Sequence, residues 1–162
     1  QIGRQVAGIA RAFGMKVLVN TANPDKYQGE KDVEFVDIDS IFAECDVISL
    51  NCPLTSETRH LVNTAHLMRV KQGALLINAG RGDLVDEGAV AEALVEGYLG
   101  GFAADVLSSE PPAEDNPLLG APNTFITPHI AWATLEARQR LLAIAIANVR
   151  AFQNGTPQNL VS

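Results

Sequence analysis

Cysteine is scarce in this 162-residue sequence, with Cys45 and Cys52 as the only two. Two thiols exclude a disulfide framework, and no Cys/His cluster has zinc-ligand spacing, so both are read as reduced, partly buried thiols and no metal is expected. Long apolar runs are missing too. Nothing approaches the roughly 20 residues that span a bilayer. The Ala-rich stretch from Leu141 to Ala147 is short and flanked by Arg138, Arg140 and Arg150, so no membrane partner is expected. Positive charge is in short supply: 12 Lys and Arg against 19 Asp and Glu leave a net charge of −7. That balance argues against electrostatic binding of nucleic acid or an anionic membrane. The 13 Gly and 8 Pro show no period, which excludes collagen-like and low-complexity readings. No signal peptide is visible, although the first residue is Gln1 rather than Met, and a cytoplasmic location is expected. What is present is a hydrophobic share of 47% with 19% charged residues, enough to bury a core in one domain.

Apolar runs alternate with helical patterns along the whole chain. Ile2 to Phe13 reads as a helix with Val6, Ile9, Ala10 and Phe13 on one face, ended by Gly14. Lys16 to Val19 reads as a short strand, Ser40 to Glu44 as a helical turn, and Asp46 to Leu50 as a buried strand. Thr64 to Val70 is a short helix, Ala74 to Asn78 the next strand, and Asp86 caps a helix to about Tyr98. Gly101 to Val106 and Thr124 to Ile126 are two further strands, and Trp132 to Phe152 is a long terminal helix. Continuous apolar strands separated by helices predict a doubly wound α/β fold, with a parallel sheet covered on both faces.

In such sheets ligands bind beyond the carboxyl ends of the strands. The segments there are Asn20-Thr21, Asn51-Cys52-Pro53, Ala79-Gly80-Arg81-Gly82, Asp105 to Glu110 and Thr127-Pro128-His129. They hold an unusual share of the reactive side chains. Arg81 offers a planar fork that can grip a carboxylate through two bonds. His129 carries the side chain best suited to acid–base work near neutral pH, on a segment stiffened by Pro128. Glu110 can orient an imidazole and favour its protonated form. His60 and His66, in the polar stretch after Cys52, are read as structural. The opening Q-I-G-R-Q-V-A runs straight into a helix. Gly3 suits the third glycine of G-x-G-x-x-G, whose first two would precede Gln1.

Four segments stand in register: C-P-L-T-S-E-T-R (Cys52 to Arg59), N-A-G-R-G-D-L-V-D-E (Asn78 to Glu87), A-D-V-L-S-S-E-P-P (Ala104 to Pro112) and T-P-H-I-A-W (Thr127 to Trp132). Arg81 and Glu110 are 29 residues apart, Glu110 and His129 19. Together they resemble the D-isomer-specific 2-hydroxyacid dehydrogenases over essentially the whole chain. The I-T-P-H-I-A-W-A-T run and the N-G-T-P-Q-N-L-V ending are most similar to the glycerate dehydrogenases, also called hydroxypyruvate reductases. The resemblance implies a Rossmann-like cofactor domain and reduction of a 2-keto acid, with Arg81, Glu110 and His129 as catalytic residues. Formate dehydrogenases, which are relatives, carry a glutamine at the place of Glu110, so formate is not expected as the substrate.

The cofactor contacts also follow from the resemblance. Gln1, Ile2 and Gly3 would face the pyrophosphate, Cys52, Pro53 and Ala79 the nicotinamide ribose, and Asp105 and Ala131 the nicotinamide end, beside Arg81 and His129. NAD-preferring members place an Asp at the end of the second strand. Here Thr21 stands there, with Lys26 the nearest base, so NAD is expected and NADP is not excluded. The domain is expected over residues 1–154, lacking its first strand and first two fingerprint glycines. Residues 155–162 would cross toward a missing substrate domain, without which the segment would be inactive. The resemblance further implies a homodimer formed through this domain. A rival reading is a dinucleotide-sensing interaction module, since the C-terminal-binding corepressors resemble the same family and keep the same three polar residues.

Overall fold

The computed structural model describes residues 1–27, 29 and 33–161. The first helix, α1 (Ile2–Ala12), is followed by the two-residue strand β1 (Leu18–Val19), which pairs in parallel with β2 (Glu34–Phe35). A second parallel sheet holds β3 (Val47–Leu50), β4 (Ala74–Asn78), β5 (Leu99–Ala104) and β6 (Thr124–Ile126), in that spatial order. Between them run α2 (Ile38–Glu44), α3 (Thr64–Leu67) and α4 (Glu87–Val95), and α5 (Leu135–Gln153) closes the chain. The architecture is thus a Rossmann-like α/β fold with a parallel sheet and flanking helices. Among the described residues the two sheets share no ladder. The chain divides into two compact units, Gln1–Pro128 and His129–Ser162.

Local chemistry explains most boundaries. Asp37, Asn63, Asp86 and Thr134 each accept a backbone N–H one turn into the helix that follows, from Ser40, His66, Ala89 and Ala137. This satisfies donors that a helix start would otherwise leave unpaired. The Ser40 N–H also holds the exposed Asp37 carboxyl below the usual carboxylate range. At the other ends, Gly14 and Gly97 take φ of +79° and +76°, a conformation in which most side chains are strained. Gly97 therefore stops α4 at Val95 rather than near Tyr98, and β5 begins at Leu99 rather than at Gly101. The Thr134 cap likewise moves the start of the last helix from Trp132 to Leu135. The β1 strand is shorter than the expected Lys16 to Val19, and β2 was not expected at all.

The core lies between β3–β6 and the helices α2, α3 and α4. Phe42, Val62, Leu76, Leu84, Val90, Leu99, Phe102 and Leu118 are all within 2% of complete burial. The two faces of the sheet differ in burial within the first unit. Ile48, Leu76 and Phe102 share a row and are buried, whereas Val47, Leu75 and Ile77 on the opposite face are 37–46% exposed. The reason lies in the strand order. Crossovers of the usual right-handed kind, stepping in one direction from β3 to β5, lay their helices on a single face. The helix α1 has no buried residue. In the second unit α5 has none either.

Candidate active site

Because β3 to β6 run parallel, their carboxyl ends and the loops that follow bring together segments far apart in sequence. At the end of β4 the side chain of Asn78, fully buried, accepts the Gly80 N–H at 3.1 Å and donates to the Arg81 carbonyl at 2.9 Å. The turn carrying Arg81 is therefore fastened on both sides by one residue. A buried amide is stable only when paired, and here the pairing fixes the backbone of Arg81. The Arg81 side chain is exposed, and its Nη1 donates to the Gly80 carbonyl at 2.7 Å. Two residues on, Asp83 accepts two bonds from the Arg59 guanidinium, at 2.8 and 3.4 Å. That pair ties the Cys52-to-Arg59 segment to the Arg81 turn.

The position after Arg81, held by Gly82, has room for glycine alone. A Cβ built on it would lie 2.0 Å from the Leu107 carbonyl carbon and 2.3 Å from the Ser108 nitrogen. The Arg81 turn thus presses directly on the backbone of the loop after β5. That loop carries Asp105, which is 8% exposed and accepts a bond from the Thr127 hydroxyl after β6. Its backbone N–H reaches the Asn78 carbonyl at 3.0 Å. Further along, Glu110 is exposed and accepts the Leu107 N–H at 3.2 Å. Arg81, Asp105 and Glu110 therefore stand on two loops in mutual contact.

At the end of β3, Asn51 meets the first turn of α1, where a Cβ on Gly3 would come within 3.2 Å of the Asn51 Cβ. That close approach fits the third glycine of a dinucleotide fingerprint, which lets helix and strand pack. The first turn of α1 has no acidic residue and no side-chain cap at Gln1, so its N–H groups suit a phosphate. Cys52 and Pro53 follow Asn51. Burial pushes the Cys52 thiol above its usual value, and burial together with Glu44 and Asp46 does the same for Cys45. Since the thiolate is the nucleophile, both should be alkylated by iodoacetamide at neutral pH more slowly than a free cysteine. Equal rates would show the thiols to be as acidic as in an unfolded chain. After β1, Thr21 accepts the Asn23 N–H at 3.5 Å and Asn20 donates to the Val36 carbonyl. In sequence the strand is followed by Asn20, Thr21 and Ala22, none of them acidic. Lys26 sits over the Tyr27 ring at 5.8 Å.

In the second unit, His129 has φ of +54°, in the left-handed region that few side chains adopt without strain. Its carbonyl accepts the Trp132 indole N–H at 2.9 Å. Exposed Ala131 lies in the turn that this bond closes. His66 stacks on Phe42 with ring centroids 4.7 Å apart, and its Nδ1 lies 2.6 Å from the Leu61 carbonyl. Among the described residues no group of three or more His, Cys, Asp or Glu could hold a metal ion. None of the described helices is long and apolar enough to cross a membrane. The part of Asn78 was not foreseen from sequence. Its only cue was an amide at the end of an apolar strand.

Residues 1–131 match the family described as D-isomer specific 2-hydroxyacid dehydrogenase, NAD binding domain. The chain is 41% identical over 162 residues to a hydroxypyruvate reductase of Blautia hydrogenotrophica, covering all of this chain and 50% of that protein. It is 42% identical to a glycerate dehydrogenase of Methylorubrum extorquens, covering 99% and 49%. A crystal structure of D-lactate dehydrogenase with NAD+ from Lactobacillus jensenii superposes with a TM-score of 0.88 at 32% identity, over 99% of this chain and 52% of that one. The chain thus spans about half the length of these relatives.

Proposed function

The chain belongs to the NAD-binding domains of the D-isomer specific 2-hydroxyacid dehydrogenases, and from that premise we propose that it is the cofactor half of an oxidoreductase. The reaction moves a hydride between a nicotinamide cofactor and a D-2-hydroxy acid/2-keto acid pair, of the glycerate/hydroxypyruvate or glyoxylate type. Residues 1–154 form the dinucleotide-binding domain, and residues 155–162 lead toward a substrate domain. The observation that carries this reading is the Arg81 turn, fastened by buried Asn78 and pressed through Gly82 on the loop of Asp105 and Glu110.

Each residue then has a role that its chemistry allows. Arg81 grips the substrate carboxylate with its planar fork and polarises the neighbouring carbonyl. The reduced nicotinamide, when bound, supplies the hydride. His129 gives a proton to the ketone oxygen, and in the oxidative direction takes it from the hydroxyl. Glu110 favours the protonated imidazole. Gln1, Ile2 and Gly3 hold the pyrophosphate, Cys52, Pro53 and Ala79 line the nicotinamide ribose, and Asp105 and Ala131 flank the nicotinamide end. Thr21 brings no charge to the adenosine ribose, so NAD is preferred and NADP is admitted. A homodimer formed through this domain, in the cytoplasm, completes the proposal.

The test uses the full-length protein. It should reduce hydroxypyruvate or glyoxylate with NADH or NADPH. Arg81→Lys keeps the charge but loses the fork, and should lower kcat/KM about 10- to 100-fold, the worth of one charged hydrogen bond. Dinucleotide affinity should stay near that of the parent. A fully active Lys variant would overturn the two-bond carboxylate grip. Dinucleotide binding without turnover of any 2-keto acid would instead point to the sensing module.

A further inference from the structure

A carboxylate outside the residues assigned so far holds the loop that bears Glu110. Glu87 is the first residue of α4. Its Oε1 accepts the Ser108 N–H at 2.7 Å, and its Oε2 accepts both the Ser108 hydroxyl and the Asn116 side-chain N–H at 2.8 Å. These partners lie 21 and 29 residues along the chain. They stand on either side of Glu110. Asn116 is itself anchored, since its Oδ1 accepts the N–H of Leu118, which is fully buried in the core. One carboxylate therefore fixes the segment from both sides, through bonds to a charged group, which are roughly twice as strong as neutral ones. The α4 N-terminus favours the same charge. Ser108 is also the residue whose nitrogen would meet a Cβ on Gly82 at 2.3 Å. Holding Ser108 thus sets the contact between the Glu110 loop and the Arg81 turn.

We infer that Glu87 is a positioning residue for the reaction: it sets the Glu110 loop in place against the Arg81 turn. The inference rests on the reading of Glu110 and Arg81 proposed above. An acidic residue in the first turn that merely steadied α4 would move stability and leave the kinetics alone. A positioning residue acts on turnover, through Glu110.

In the full-length enzyme, Glu87→Ala should lower kcat for hydroxypyruvate about tenfold or more, as misplaced catalytic groups do. KM and the dissociation constant of NADH should change less than about twofold. Adding Glu110→Gln to Glu87→Ala should cause little loss beyond that of Glu110→Gln alone, because residues acting as a unit are not additive. Glu87→Gln keeps the size and is the variant to use if Glu87→Ala does not fold. It leaves an amide N–H facing the Asn116 or Ser108 donors and should lower kcat about fivefold, the worth of a charged bond over a neutral one. An unchanged kcat in a folded Glu87 variant overturns the inference, as do losses that multiply with those of Glu110→Gln. Parental turnover in Glu110→Gln by itself overturns the role of Glu110 instead, and with it the purpose assigned to Glu87.

Discussion

His129→Gln in the full-length protein is expected to lower turnover about 10²–10⁴-fold, the usual scale for losing a general acid. Dinucleotide affinity should change little, because the phosphate contacts assigned to Gln1, Ile2 and Gly3 are untouched. The backbone adds a control. With φ of +54° at His129, a glutamine carries strain that an asparagine largely avoids, Asn being among the few residues enriched in the left-handed region. His129→Asn and His129→Gln should therefore lose similar turnover while differing in stability. Steady-state assays and denaturant titrations on both variants separate the two effects. Near-parental turnover in either variant would remove His129 as proton donor.

Gly82→Ala should be the most disruptive single-methyl change in the first unit. The added carbon would stand 2.0 Å from the Leu107 carbonyl carbon and 2.1 Å from its oxygen. Those are backbone atoms, which cannot swing aside as a side chain can, so the two loops must part. Overpacking of this kind costs about 1–3 kcal/mol, and more where the backbone has to move. Separation of Arg81 from the Glu110 loop should also lower kcat/KM for keto acids about tenfold or more. Gly88→Ala is the matched comparison. Its Cβ would meet only the Asp86 Oδ1, at 3.4 Å, and it lies within α4. A helical Gly→Ala exchange free of clash stabilises by about 0.4–1 kcal/mol. Denaturation midpoints should therefore move in opposite directions for the two variants. The same sign in both would mean that the loops do not meet at Gly82.

Much of this arrangement is legible where the determinants are local. The strands Ala74–Asn78 and Thr124–Ile126 follow from apolar runs bounded by turn residues, and α4 begins where Asp86 offers a cap. Errors arise where a neighbour in space decides. The pair β1–β2 depends on Leu18 meeting Glu34, which no local pattern in V-E-F-V announces. The unequal burial of the two faces of β3 and β4 is likewise hidden from any one strand, since it depends on which way the crossovers step. For the candidate site, the sequence marks the loops that carry Arg81, Glu110 and His129 because reactive side chains gather at strand ends. It is silent on what holds them. The amide of Asn78 works through backbone groups that exist only once the turn is folded, and Glu87 reaches partners 21 and 29 residues away.

The order of β3 to β6 bears on how the sheet is assembled. Each strand pairs with the next one in the chain, so every pairing closes one strand–crossover–strand unit of similar length. Loop-closure entropy grows only slowly with length, and here it is met in three similar instalments rather than in one long-range step. Native contacts close to one another in sequence go with fast folding. Growth can therefore start from any adjacent pair of these strands and spread outward, with Leu76 in β4 and Phe102 in β5 already side by side after a single crossover.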